Sequence, residues 1–68
     1  MKSVVAAFSL FQSGDIAGAE AMLTELLERA PEDADALHCM AGVCHHKGDL
    51  VGAARYFDRA HEASPYDA

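Results

Sequence analysis

An all-α chain, four antiparallel helices forming two helix-turn-helix hairpins of an alpha-alpha superhelix, is predicted by three observations. First, residues 13–34, SGDIAGAEAMLTELLERAPEDA, lie over residues 47–68, KGDLVGAARYFDRAHEASPYDA, without a gap at an offset of 34. Along it Gly14-Asp15 matches Gly48-Asp49, Gly18-Ala19 matches Gly52-Ala53, Pro31 matches Pro65, and Asp33-Ala34 matches Asp67-Ala68. One offset kept over so many positions marks an internal repeat. Second, apolar residues recur at i, i+3, i+4 and i+7, and no β-branched or aromatic alternation occurs. Third, the chain is 51% hydrophobic but only 7% aromatic, with alanine its commonest residue, which favours closely packed helices over sheets.

The elements follow in order. The first helix, about 2–13, contains VVAAFSLF and is apolar almost all round. Asp15 is placed to cap the second, about 16–30, which turns Ile16, Ala19, Leu23 and Leu26 inward and is closed by Pro31. In the third, about 33–47, Leu37, Met40, Ala41 and Cys44 form one stripe, and Gly48 ends the helix. Glu32, Asp33 and Asp35 sit near its N-terminus, where carboxylates meet the positive end of the helix dipole. Asp49 caps the fourth, about 50–63, whose inward stripe is expected to be Leu50, Ala53, Phe57 and Ala60, with Pro65 stopping continuation. Small residues at 41, 53 and 60 let two antiparallel helices approach closely.

This pattern resembles the tetratricopeptide repeat family over essentially the whole chain. The second unit, 32–65, carries it best, with Leu37 where the family often has Trp, Met40 for Leu, Ala41 for Gly, then Ala53, Phe57, Ala60 and Pro65. Cys44 replaces the usual tyrosine and removes bulk from a helix contact. The first unit, 1–31, is degenerate: Ala7 stands for the usual glycine, Leu10 for the tyrosine, Leu23 for the aromatic and Leu26 for a small residue. Residues 66–68 resemble the start of a truncated third repeat.

The resemblance implies a protein–protein interaction module or scaffold, not an enzyme and with no cofactor. First helices of each repeat line a concave groove for a peptide or partner helix. Carried over by alignment, the groove residues are Val4, Phe8, Phe11 and Gln12 in the first unit, and Asp35, His38, Gly42, His45 and His46 in the second. Family members that clamp a terminal carboxylate do so with lysine, arginine and asparagine, and none stands at these positions. The expected ligand is therefore a neutral or amphipathic segment with apolar anchors.

Two repeats are also fewer than the three or so that usually complete such a core. No polar capping helix is expected within residues 1–68, and Val51, Ala54 and Tyr56 on the fourth helix form an expected self-association surface. A fragment of a longer array or a homo-oligomer is expected, the latter able to exchange helices through an opened Lys47-Gly48-Asp49 turn.

The stretch HCMAGVCHH, residues 38–46, invites a chemical alternative: a zinc or c-type haem site at Cys39, Cys44 and His45. In CMAGVCH four residues separate the cysteines where the common haem signature has two, and on a helix the two thiols point about 140° apart. A metal site on one helix wants ligands three or four residues apart, and no two of these histidines and cysteines have that spacing. Catalysis by Cys39 is not expected, because no activating acid or histidine is expected at helical spacing from it.

Charge narrows the partners. With 5 Lys+Arg against 11 Asp+Glu the net charge is −6, which repels nucleic acid and anionic membrane surfaces alike. MKSVVAAFSLF has some features of a leader, but its apolar run is too short to span a bilayer and Asp15 stands where a cleavage region should be uncharged. Two cysteines without a disulfide framework suggest free thiols and a cytoplasmic location.

Overall fold

Two turns built the same way set the course of the chain. In the computed structural model, which describes residues 4–63, α1 is Val4–Gln12, α2 Ile16–Arg29, α3 Ala34–His46 and α4 Leu50–Ala63. Each helix lies within its predicted span. Residues 2–3 of the predicted first helix, Pro65 and the segment 66–68 lie outside the described residues.

At the end of α1, Gly14 (φ +95°) takes the left-handed conformation, as does Gly48 (φ +83°) at the end of α3. The Gly14 N–H donates to the Phe11 carbonyl (3.2 Å) and the Asp15 N–H to that of Leu10 (2.9 Å). Gly48 and Asp49 repeat this on His45 (3.0 Å) and Cys44 (2.8 Å). Such a pair of bonds satisfies carbonyls that a helix C-terminus leaves open. The same aspartate then starts the next helix, since Asp15 Oδ1 accepts from the Gly18 N–H and Asp49 Oδ1 from the Gly52 N–H, both at 3.0 Å. A Cβ at residue 18 or 52 would overlap that capping carboxylate, so a larger residue there requires the carboxylate to shift.

Because L-residues other than Gly resist φ near +83°, Gly48→Ala is expected to cost about 1–2 kcal/mol. Urea unfolding followed by circular dichroism checks this. A midpoint equal to wild type would show that the turn does not need the left-handed geometry.

The α2–α3 connection is built differently. Asp33 Oδ1 caps α3 by accepting from the N–H groups of Asp35 (3.1 Å) and Ala36 (3.3 Å). Across the hairpin, the Arg59 guanidinium donates to the Pro31 carbonyl (3.4 Å) and lies 5.5 Å from the Tyr56 ring centroid.

α1 packs on α2 and α3, α2 on α3, and α4 on α3 alone among the described helices. Helix α3 therefore has neighbours on two sides, and its buried residues form two lines. Ala36, Met40 and Val43 join Ala7 and the α2 residues Ala19 and Leu23 in the central core. Leu37, Ala41 and Cys44 are buried about 100° away around the helix, with Ala53 and Ala60 buried on the facing helix α4. The expected single stripe Leu37, Met40, Ala41, Cys44 thus divides, and it lacked Ala36 and Val43.

The inward line of α4 also differs from expectation. It runs through Ala53, Tyr56 and Ala60, with Tyr56 half-buried against the central core. Leu50 is 64% exposed and Phe57 45% exposed, so neither lies on the buried line. Alanines bring α4 close to α3 along one narrow seam, and with no second neighbour among the described helices the larger residues to one side stay in solvent.

Candidate functional site

An open cleft of about 510 Å³ lies between α1 and α3. Val4, Val5, Ala7, Phe8 and Phe11 form its α1 wall, Leu23 of α2 its floor, and Asp35, His38, Cys39 and Gly42 its α3 wall. Every charged residue of α1 and α3 is acidic, apart from the histidines: α1 has no charge at all and α3 has Asp35. Helical periodicity explains the α3 wall, because residues 35, 38, 39 and 42 follow the i, i+3, i+4, i+7 rule along one side of the helix.

Six residues expected in a groove, Val4, Phe8, Phe11, Asp35, His38 and Gly42, are brought together here. Phe8 is 46% exposed, so its ring is available rather than consumed by the core, whereas Phe11 is half-buried and packs against the core. His46 stands at one end of the face with its ring edge-on to Phe11, 5.7 Å between centroids. His38 meets Phe57 of α4 in the same way at 5.5 Å, so it joins the cleft wall to the last helix. Gln12 and His45 are exposed and do not line the cleft.

Sequence reasoning missed Val5, Ala7, Leu23 and Cys39 as lining residues. Cys39 was legible in principle, since it lies four residues after Asp35 and three before Gly42. That spacing also corrects the expectation that no acid stands at helical distance from it. Asp35 does, but it works against activation: burial first, then the carboxylates of Asp35 and Asp33, push the Cys39 thiol above its ordinary range. A neutral thiol is a weak nucleophile and a poor metal ligand.

Cys44 is buried on the α4 side of α3, and its thiol is likewise raised, by burial and then by Asp49. Both cysteines are free. Among the described residues no three His, Cys, Asp or Glu side chains form a group that could hold a metal ion. The exposed Lys47, next after His46, turns to α2 and bonds both carboxylate oxygens of Glu20 at 3.0 Å. That carboxylate holds the Lys47 ammonium above its usual range and commits it away from the cleft.

Of the residues expected on a self-association surface, Val51 is 67% exposed and Ala54 is exposed, while Tyr56 turns inward. None of the described helices is long and apolar enough to cross a membrane. A comparison with curated proteins returns no match. The model of the tetratricopeptide repeat family matches residues 5–68, which include both Gly-Asp turns and nearly the whole of the cleft. On that match, and on the two helical hairpins it covers, the chain belongs to the tetratricopeptide repeat family.

Proposed function

We propose that this chain is a peptide- or helix-binding module whose ligand lies in the cleft between α1 and α3. Tetratricopeptide repeats generally mediate protein–protein interaction and are typically not enzymes. The observation that carries the finer reading is the apolar α1 wall, where Val5 and Phe8 stay 75% and 46% exposed instead of closing over the core. Exposed apolar surface of this kind, concave and rimmed by a few polar groups, is what an amphipathic segment covers on binding. Two free thiols fit a reducing, cytoplasmic setting.

The test uses a peptide library displayed against the folded protein, with amide chemical shifts mapping where a selected peptide binds. Shifts are expected at Phe8, Phe11, His38 and Gly42. Phe8→Ala is expected to weaken binding by about tenfold or more, since a large apolar anchor carries about 1.5–3 kcal/mol. Its ring is half in solvent, so the melting temperature is expected to move little. Shifts confined to another face would overturn the reading.

Self-association is a second reading, favoured by a specific feature of α4. Leu50, Ala54 and Phe57 fall at i, i+4 and i+7 on its uncovered side, with Val51 beside them. Sedimentation velocity over a wide concentration range is expected to show a dimer or larger species that Leu50→Glu converts to monomer. A concentration-independent wild-type monomer removes this reading.

A further inference from the structure

Among the described residues the cleft wall holds one carboxylate, that of Asp35, and no lysine or arginine. Val4–Gln12 contains no ionisable side chain, and Ala34–His46 contains Asp35 but neither lysine nor arginine. Asp35 is exposed on the cleft wall, and among the described residues its carboxylate makes no hydrogen bond or ion pair. Lys47, the residue that follows α3, is held by Glu20. Around this face the molecule as a whole carries −6.

From this we infer that the partner is a cationic amphipathic helix: its apolar side covers Phe8 and Phe11, and a lysine or arginine at its edge reaches Asp35. The inference rests on the cleft being the binding site and adds the charge of what binds there. A ligand carboxylate placed in the cleft would meet Asp35 with no lysine or arginine of α1 or α3 to offset it, and like charges set side by side are the usual means of rejecting a wrong partner. A cation gains both the local pair and the attraction of the whole acidic molecule, which also raises the rate of encounter. A second copy of this chain brings another −6 and is disfavoured in the cleft for the same reason.

Three synthetic amphipathic helical peptides test this, sharing one leucine-and-phenylalanine face and carrying lysine, glutamine or glutamate on the other. Affinities are read by fluorescence anisotropy at low and high salt, and the contact surface by amide shifts. The lysine peptide is expected to bind about tenfold or more tighter than the glutamate peptide at low salt, the gap narrowing as salt screens it. Asp35→Asn is expected to cost the lysine peptide about fivefold, and Asp35→Glu to restore it. Glu28→Gln removes one charge from an exposed α2 position outside the cleft and is expected to change the affinity by less than about twofold.

Equal affinities for the three peptides, with shifts in the cleft, would overturn the charge preference and leave the cleft as the binding site. A lysine preference that Asp35→Asn and Glu28→Gln reduce alike would make it a property of net charge and overturn the role of Asp35. No cleft shifts with any peptide would overturn both readings. Cleft shifts that grow with protein concentration alone would seat a second copy there and overturn the cationic partner.

Discussion

Leu23→Ala is expected to destabilise the fold by about 2–5 kcal/mol, the range for removing a fully buried leucine. Leu23 is 1% exposed and sits where α1, α2 and α3 meet, with Ala7, Ala36, Met40 and Val43 in the same cluster. A chain of 68 residues has a total folding free energy on the order of 3–10 kcal/mol. One substitution therefore removes a large share of it. Urea unfolding is expected to show a midpoint lowered by about a third or more, or a chain already partly unfolded in buffer. The contrast with Phe8→Ala is the sharper check, because both residues line the cleft but only Leu23 is enclosed. If the two variants lost equal stability, the division of the cleft into a structural floor and an available wall would be wrong.

Ala41→Leu is expected to cost about 1–3 kcal/mol by overpacking. Ala41 is fully buried and lies on the α3 line that faces α4, where Ala53 and Ala60 are buried from the other side. Three added carbons have nowhere to go unless the helices separate. The melting temperature is expected to fall by roughly 8–16 °C, taking about 2 kcal/mol and the slope for domains of this size. An unchanged melting temperature would mean that the α3–α4 seam is loose.

The features readable from sequence were those fixed by local chemistry. Gly48 and Asp49 announce a helix end and a helix start because glycine is the residue most at ease in the left-handed conformation and aspartate is among those preferred as an N-cap. Their repetition at Gly14 and Asp15 then fixed the count and order of helices. Side-chain direction on α4 was harder. Tyr56 and Phe57 are adjacent, 100° apart on the helix, and apolar periodicity accepts either as the inward residue. Which one turns in depends on where α3 lies, and the alanine seam puts Tyr56 against the core while Phe57 reaches His38.

The cleft was legible to the extent that it follows helix faces. Asp35, His38 and Gly42 were found by position, and the same spacing contained Cys39. Val5 and Leu23 were not accessible in this way, since the first depends on how α1 tilts toward α3 and the second on a helix from behind the cleft reaching its floor. The histidines also separated in a manner composition could not show. His46 stacks edge-on against Phe11, His38 against Phe57, and His45 points to solvent.

The double service of Asp15 and Asp49 has a consequence for what lengths of chain this module accepts. Surface connections ordinarily absorb added residues at little cost, each doubling of a loop adding only about 0.6 kcal/mol of closure entropy. Here no residue in the turn is spare. Inserting even one residue between Gly48 and Asp49 would hand the last N–H of the α3 terminus to a newcomer and leave the aspartate to serve α4 alone, out of register with the helix it now finishes. The four-residue Ala30–Asp33 connection is coupled less tightly, because the Asp33 N–H bonds the carbonyl of the cap residue Ala30 (3.1 Å) and not a carbonyl within α2, while its side chain caps α3. Insertions, tags and evolutionary length changes should therefore accumulate between the hairpins and be absent within them.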